Sequence, residues 1–198
     1  TWIWQPSFVV DNVGEVGKWN SIKIDSNDYV HISYYDNLSG DLKYTVYNGT
    51  SWSTSTIDSI GDVGRMTSIN IDKNDYVHIS YLDVTNQNLK YATSDGFNWT
   101  TSTIDNVGEV GWYSSFVFDK DNNIHISYYD QTNADLKYSK LEVEPWIISD
   151  ITGDSGYSDM AIDSNDNIHI YYMEIGIDVL KYAFFDGLSW SFSTIYNI

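Results

Sequence analysis

The 198-residue sequence contains no cysteine and little positive charge, since ten Lys and Arg residues stand against 28 Asp and Glu residues. Without cysteine there is no disulfide bond and no thiolate chemistry. The formal net charge of −18 repels nucleic acid and anionic membranes. It suits cations or neutral partners such as sugars, unless the acidity serves solubility alone. We therefore expect no nucleic-acid partner.

Several signals of other functions are also missing. No apolar run approaches the roughly 18–20 residues that span a bilayer, so we expect no membrane insertion. The sequence contains no phosphate-cradling loop, no zinc-type His/Cys cluster and no nucleophile elbow. We expect a protein that is not an enzyme and requires no cofactor. No secretory leader is visible ahead of Thr1, so either a leader has been removed or the sequence is a fragment.

The sequence contains one unit repeated four times. Residues 30–36 read Val-His-Ile-Ser-Tyr-Tyr-Asp, and the pattern returns at 77–83, at 124–130 and more loosely at 168–172. The repeated histidines are 47, 47 and 44 residues apart. Eleven residues after each histidine comes Leu-Lys-Tyr, and ten residues after that leucine comes a tryptophan. A fixed period of this length is typical of repeat architectures.

Each unit contains four short stretches in which apolar and polar residues alternate, as they do in β-strands. In the first unit these stretches lie near residues 20–25, 29–36, 41–47 and 52–57, and turns rich in Asp, Asn and Gly separate them. No window shows the 3.6-residue apolar period of a helix. Four short strands in each of four repeats predict an all-β fold, a β-propeller.

The repeats define one predicted propeller domain over residues 1–198. We place the repeats at approximately 11–57, 58–104, 105–148 and 149–195, with an extra strand in residues 1–10. This strand is predicted because residues 8–14 align with residues 55–61 at an offset of 47. One strand is then surplus to a four-blade ring. Either the chain belongs to a larger propeller, or the strand pairs with another molecule in a homo-oligomer or filament.

The repeated pattern also carries a family resemblance. Asp-x-Asn-Asp-x-x-His-Ile-Ser-Tyr-Tyr-Asp, then Asp-Leu-Lys-Tyr, then Gly-x-x-Trp, resembles the repeats of exported microbial β-propellers over nearly the whole chain. The architecture is also similar to that of propeller lectins of the tachylectin and fucose-lectin kind, although their sugar-binding motifs are not visible. The resemblance implies an extracellular or cell-surface location. The Ser-x-Asp-x-Gly-x-x-Trp box of sialidases is missing, which weighs against a glycosidase.

Residue types shared by all four units are interpreted as structural, because one active site needs one general base rather than four. We expect the histidines to hydrogen-bond between strands, with metal or ligand binding as the alternative. Each lysine is expected to form a cross-strand ion pair with the acid that ends the second strand, unless that acid binds a ligand. The tryptophans are expected to pack between blades. The structural set is His31, His78, His125, His169, Lys43, Lys90, Lys137, Lys181, Trp52, Trp99, Trp146 and Trp190.

The turn between the first and second strands carries alternating oxygen side chains, as in the first half of a Ca²⁺ loop. The third unit is the best example, with Asp119, Asp121 and Asn123. The glycine and the distal glutamate of such a loop are missing, and Asx hydrogen bonding explains the turn without a metal. Calcium is therefore the alternative to a purely structural turn.

Aromatic residues beside acids mark the predicted ligand-binding positions. A flat ring covers the apolar face of a sugar while carboxylates accept its hydroxyl hydrogens. Some of these residues end the second strand, and others follow the Gly-rich turn, where residue type varies between units. We expect weak, repeated binding of a glycan or protein ligand at these loops. The residues are Trp19, Tyr35, Asp36, Trp112, Tyr113, Tyr129, Asp130, Tyr157, Tyr172 and Glu174.

The favoured function is a non-catalytic extracellular binding module that recognises carbohydrate or protein. The alternative is a structural protein that assembles through its surplus strand. A glycoside hydrolase or lyase is less favoured, and a unique acid pair in the central channel would support it. Three Asn-x-Ser/Thr sequons, at Asn37, Asn48 and Asn98, are compatible with an exported glycoprotein.

Overall fold

A computed structural model of the protein describes residues 7–141, 147–153, 155–174 and 176–197. Sixteen strands in these residues form four antiparallel sheets, each of four strands that follow one another in sequence order. The described part of the chain contains no helix, and so none that is long and apolar enough to cross a bilayer. The predicted all-β propeller of four four-stranded repeats is confirmed.

Each sheet is one blade, and we number the blades in chain order. Blade 1 contains β1 (Val16–Ile24), β2 (Val30–Asp36), β3 (Asp41–Tyr47) and β4 (Trp52–Asp58). Blade 2 contains β5 (Val63–Ile71), β6 (Val77–Asp83), β7 (Asn88–Ser94) and β8 (Trp99–Asp105). Blade 3 contains β9 (Val110–Phe118), β10 (Ile124–Asp130), β11 (Asp135–Leu141) and β12 (Ile147–Gly153). Blade 4 contains β13 (Ser155–Ile162), β14 (Ile168–Glu174), β15 (Val179–Phe185) and β16 (Trp190–Asn197).

The first two strands of each blade are joined by an Asx turn. In blade 1 the Asp25 carboxylate accepts hydrogen bonds from the backbone N–H groups of Asn27 at 2.9 Å and Tyr29 at 2.8 Å. Asp28 takes the left-handed conformation, with φ 63°, which Asp and Asn tolerate better than most residues. The same position in the other blades is Asp75, Asn122 and Asp166, with φ of 64°, 69° and 62°.

The first strand of blade 1 begins at Val16, earlier than the predicted start near residue 20. Two irregularities interrupt its pairing with β2, and they coincide with positive φ at Gly17 (94°) and Trp19 (47°). Bulges break the two-residue alternation by which strands are recognised in a sequence. Trp19 therefore lies within the strand rather than on a turn that precedes it.

The core lies between facing blades. We call the face that packs against the preceding blade the entry face; in blade 2 it includes Ile69, Ile79 and Tyr81. The exit face packs against the following blade, and in blade 1 it includes Leu42 and Tyr44. These five residues are buried in one cluster. Equivalent clusters join blade 2 to blade 3 and blade 3 to blade 4, so both faces of blades 2 and 3 are covered.

The first strands of the four blades surround a central channel. Three cavities, of about 270, 480 and 400 Å³, lie along this channel, and each is lined by residues of β1, β5, β9 and β13. Within the described residues, no strand of blade 4 packs extensively against a strand of blade 1. The four blades therefore form an arc around the channel.

The predicted extra N-terminal strand lies only partly within the described residues, because residues 1–6 are outside them. Residues 7–15 run beside blade 1 and pair with no strand in the described part of the chain. They nevertheless contact the blade, since the ring centroid of Phe8 lies 6.2 Å from that of Trp52. We call residues 7–15 the N-terminal segment.

Candidate functional site

The repeated histidines form the same hydrogen-bonded unit within every blade, and it is buried in blades 1–3 and half-buried in blade 4. The Nδ1 atom of His78 lies 2.5 Å from the hydroxyl oxygen of Tyr91 on the neighbouring strand. His31, His125 and His169 make the same contact with their own tyrosines at 2.5–2.6 Å. Each Nε2 atom lies 3.2–3.9 Å from the aspartate that begins the Asx turn of its blade. Four identical arrangements inside single blades favour the predicted structural role.

These histidines predict a pH-dependent stability. Burial lowers the pKa of His78 from 6.5 to about 4, although the Asp72 carboxylate acts in the opposite direction. Between these values the unfolded chain binds a proton that the folded chain does not. The free energy of unfolding should therefore fall by on the order of 3 kcal/mol as the pH drops through this window. Urea denaturation between pH 7.5 and 4 measures the slope, which should be shallower for His78→Gln; equal slopes would contradict the assignment.

Two of the repeated lysines, Lys90 and Lys137, join neighbouring blades. Lys90 Nζ of blade 2 lies 2.5 Å from the carboxylate of Asp58, the residue that ends β4 of blade 1. The same Asp58 carboxylate accepts a hydrogen bond from the Tyr81 hydroxyl at 2.7 Å. In the same way, the Asp105 carboxylate lies 2.7 Å from Lys137 Nζ and accepts a hydrogen bond from the Tyr128 hydroxyl at 2.8 Å. Burial alone would raise the pKa of Asp58, but the hydrogen bonds from Lys90 and Tyr81 lower it overall.

This geometry corrects the predicted lysine partners. Lys43 and Lys90 were expected to pair with Asp36 and Asp83 across their own hairpins, but they pair with Asp11 and Asp58. Lys43 lies opposite Tyr34 on the entry face, whereas Asp36 accepts the Leu38 N–H at 3.0 Å and so caps its own turn. Lys137 approaches its predicted partner Asp130 only at 3.7 Å. Lys181 pairs with Glu174 at 2.5 Å, as predicted.

The tryptophans that begin the fourth strands contact the preceding blade. The ring centroid of Trp99 lies 5.0 Å from that of Tyr44 in blade 1, and Trp190 lies 5.5 Å from Tyr138 in blade 3. Both contacts agree with the predicted packing between blades. Trp52 contacts Phe8 of the N-terminal segment instead. Trp146 lies outside the described residues.

One end of the channel is lined by large side chains. Trp19, Met66, Tyr113 and Tyr157 occupy the same position in the first strands of blades 1–4, and together they border the 270 Å³ cavity. We call this group the aromatic mouth. The ring centroids of Tyr113 and Tyr157 are 4.0 Å apart, and Tyr157 is 64% exposed. The next residue in each strand is polar and lines the same cavity: Asn20, Thr67, Ser114 and Ser158.

The backbone at the mouth is strained. Trp19, Met66 and Tyr113 have φ of 47°, 53° and 53°, a left-handed conformation that bulky residues rarely adopt. Such conformations cost on the order of 1–3 kcal/mol each and concentrate at functional sites. Burial and a hydrogen bond with Tyr157 raise the pKa of Tyr113 to about 12, so its hydroxyl stays protonated at neutral pH. The mouth therefore presents aromatic surface together with a neutral hydroxyl group.

The single arginine of the chain lies beside the mouth. The Arg65 guanidinium carbon is 5.4 Å from the ring centroid of Trp19 and 5.3 Å from that of Tyr35. Its Nη2 atom lies 2.6 Å from the Asp62 carboxylate. Stacking on both rings keeps this cation at the edge of the mouth, where it adds hydrogen-bond donors to the aromatic surface.

The ten predicted ligand-binding residues fall into two groups. Trp19, Tyr113 and Tyr157 meet at the aromatic mouth, and Trp112 lies beside Tyr113 with ring centroids 6.2 Å apart. The rest end the second strands; Glu174 there is half-buried and ion-paired with Lys181. Their burial disfavours the predicted ligand contact, whereas exposed Trp19 and Tyr157 and half-buried Tyr113 converge on one cavity. The buried residues are Tyr35, Asp36, Tyr129, Asp130 and Tyr172.

The channel contains little acid. Among the described residues that line its three cavities, Asp159 supplies the one carboxylate, which accepts a hydrogen bond from Ser115 Oγ at 2.7 Å. Glycoside hydrolysis in most families uses two carboxyl groups roughly 5–9.5 Å apart. The acid pair that would support a hydrolase is not found in the described lining of the channel.

The turn predicted as a calcium site is held together by its own hydrogen bonds. The Asp119 carboxylate accepts the N–H groups of Asp121 at 3.0 Å and Asn123 at 2.8 Å, and also the Asn123 side-chain amide at 2.7 Å. Among the described residues, no three His, Cys, Asp or Glu side chains are grouped to hold a metal ion. Calcium binding here stays a prediction. Glycosylation also stays a prediction: Asn48 and Asn98 are exposed, and half-buried Asn37 donates to Glu15.

Known structures share this architecture at low sequence identity. A protein of unknown function from Dyadobacter fermentans superposes with a TM-score of 0.70 at 9% identity, over 89% of this chain and 68% of that chain. A Hadza microbial sialidase gives 0.65 at 11% identity, over 91% of this chain and 46% of the sialidase. The exo-β-1,3-galactanase of Phanerochaete chrysosporium gives 0.61 at 11% identity, over 90% and 49%.

These likenesses show the fold. This chain spans less than half of the sialidase and of the galactanase. No protein-family model matches the sequence, and no curated protein matches it either. Any functional conclusion therefore depends on the site itself.

Proposed function

We propose that the protein is an exported, non-catalytic binding module that recognises carbohydrate at the aromatic mouth. The observation that carries the proposal is the convergence of Trp19, Tyr113 and Tyr157 from three blades on one cavity, with strained backbone at the first two. The sialidase and galactanase among the structural neighbours act on carbohydrates, which agrees with the proposal at the level of fold.

The lining of the mouth matches the chemistry of a sugar ring. The faces of Tyr157 and Trp19 offer apolar surface to the C–H face of a pyranose, and the exposed Asn20 amide beside them can donate to and accept from its hydroxyl groups. A cavity of 270 Å³ is just below the roughly 300–1,000 Å³ of typical ligand pockets, which suits one or two sugar residues. The single channel carboxylate supports recognition rather than hydrolysis.

Glycan binding should depend on Tyr157. A glycan array identifies the best neutral oligosaccharide, and titration while following tryptophan fluorescence, to which Trp19 contributes, measures the affinity. Tyr157→Ala removes one apolar platform and should weaken binding about tenfold, equivalent to about 1.4 kcal/mol. Tyr76→Ala is the matched control, because Tyr76 is also an exposed tyrosine but follows the Asx turn of blade 2 and does not line the mouth. Equal loss in both variants, or no binding across the array, would contradict the proposal.

A further inference from the structure

The contacts between blades repeat closely at all three internal interfaces. Leu42, Leu89 and Leu136 of successive exit faces are fully buried, and each lies in a cluster with the entry face of the next blade. Gly64 of β5 shows how close this approach is, since a Cβ atom there would lie 2.5 Å from the Leu42 Cα atom. Within the described residues, the two ends of the arc lack these contacts.

The entry face of blade 1 is exposed along its first strand. Ile22 is 57% exposed, whereas Ile69 at the same position of blade 2 is 1% exposed. A Cβ atom on Gly17 would meet nothing within 4 Å, although Gly17 has nearly the same φ as Gly64 (94° and 96°). The first strand of blade 1 therefore presents apolar entry-face surface against which no exit face packs within the described residues.

The exit face of blade 4 is also uncovered. Ile195 is 49% exposed, whereas Ile104 at the same position of blade 2 is 8% exposed. Leu180 is half-buried, in contrast to its buried equivalents in blades 1–3. Tyr171, also 49% exposed, takes the place of Ser33, which contacts Thr67 of the next blade. The two uncovered faces lie at opposite ends of the arc. One is an entry face and the other is an exit face, the two types of face that pack together at the internal interfaces.

Hydrogen bonds also link the Asx turns of successive blades, and this series stops at blades 1 and 4. The backbone N–H of Ser26 donates to the Asp75 carboxylate of the next blade at 3.0 Å. The N–H groups of Lys73 and Lys120 donate in the same way to Asn122 and Asp166. Asp28 is the matching acceptor of blade 1 and Ser164 the matching donor of blade 4; both are exposed, and neither makes this contact within the described residues.

The N-terminal segment makes the contacts to blade 1 that a fourth strand makes at the internal interfaces. Asp11 accepts the Tyr34 hydroxyl at 2.6 Å and Lys43 Nζ at 2.8 Å, as Asp58 does for Tyr81 and Lys90. Burial would raise the pKa of Asp11, but these hydrogen bonds outweigh it and lower the pKa to about 2. The segment thus occupies the position of a fourth strand that precedes blade 1. Its three companion strands are not among the described residues.

We propose that the gap between blades 4 and 1 binds a three-stranded antiparallel β-unit with the pattern of the present repeat. Its strands would correspond to β5, β6 and β7, and the N-terminal segment would add to it as the fourth strand. Its exit face would cover Ile22 and Gly17, and its entry face would cover Leu180 and Ile195. A second copy of the chain fits less well. If its blade 4 entered the gap, its β16 would be the fourth strand there, and the N-terminal segment already occupies that fourth-strand position.

The test appends residues 59–97, which contain β5, β6 and β7, after residue 198 of the full chain. The added unit should close the gap, raise the melting temperature by about 5 °C or more and become as resistant to proteolysis as the blades. A control extension carries Leu89→Asp in the added copy, which places a charge against Gly17 and should abolish the rise. An unchanged melting temperature, or trimming back to the original chain, would overturn the proposal.

Gly17→Ala distinguishes the occupant. In the extended protein the new Cβ atom should meet the leucine of the added unit, so the melting temperature should drop further there than in the original chain. Sedimentation of the original chain gives the competing result. A stable dimer that Gly17→Ala dissociates would overturn the three-stranded unit in favour of a second copy.

Discussion

Asp58→Ala should lower the free energy of unfolding by about 3–5 kcal/mol, because it leaves the buried Lys90 ammonium without its counter-ion. Lys90 Nζ lies 2.5 Å from Asp58, and both side chains are largely buried between blades 1 and 2. The Tyr81 hydroxyl loses its acceptor in the same variant. Urea denaturation at pH 7 measures the change, provided the transition stays two-state.

The double variant Asp58→Leu/Lys90→Met is the control for this experiment. Removing both charges eliminates the uncompensated ammonium, and replacing a buried pair by apolar residues is often neutral or stabilising. The double variant should therefore recover most of the stability that Asp58→Ala loses. A loss below about 1 kcal/mol for Asp58→Ala, typical of an exposed pair, would show that this contact does not hold the blades together.

Gly64→Ala should destabilise the protein by about 2–6 kcal/mol. The positive φ of 96° strains any other residue by about 1–3 kcal/mol, and the clash with the Leu42 backbone adds about 1–3 kcal/mol of overpacking. Gly17→Ala is the matched variant, since its φ of 94° imposes the same strain without a neighbour within 4 Å. It should lose only about 1–3 kcal/mol.

Thermal and urea unfolding of the two glycine variants separate conformational strain from contact between blades. The difference between them isolates the clash, because both positions begin the first strand of a blade and both carry positive φ. If Gly64→Ala and Gly17→Ala lowered the free energy of unfolding equally, the backbone at Leu42 would have to move aside at little cost. That result would contradict the close approach of blades 1 and 2 described above.

The fold was predictable because the repeat places the same local signals in phase four times. The second strand was predicted at 29–36 and is Val30–Asp36, and the third was predicted at 41–47 and is Asp41–Tyr47. The first strand was the least accurate, because Gly17 and Trp19 introduce positive φ where the alternation rule assumes extended backbone. The alternation of apolar and polar residues in the sequence indicates which face of a sheet a residue lies on, but it does not indicate where a bulge occurs.

The lysine ion pairs show that spacing within one repeat does not predict contacts between blades. Asp36 is close to Lys43 in sequence and was the natural expectation, but the true partner, Asp11, is supplied by a separate segment. A signal was available, because Asp11, Asp58 and Asp105 are separated by the repeat length of 47 residues. Reading the offset across repeats, rather than distance within one repeat, finds the contact between blades.

The candidate site was predicted in part for the same reason. Variation between units marked Trp19, Tyr113 and Tyr157 as a contact surface, and the structure brings them to one cavity. Met66 was missed because it is not aromatic. Tyr35 and Tyr129 were included because they lie beside acids, and their burial follows from packing between blades that one repeat does not reveal.

The end blades form one interface each and the central blades form two, and this difference determines the order in which the blades unfold. In a linear array, stability is approximately the sum of the stabilities of the units and of their nearest-neighbour contacts. Detaching blade 1 or blade 4 breaks one interface, whereas releasing blade 2 or blade 3 breaks two. Partial opening therefore begins at either end and leaves the central pair of blades as the last cooperative unit. Trp19 and Tyr157 lie on the end blades, so the mouth is dismantled before the scaffold that supports it.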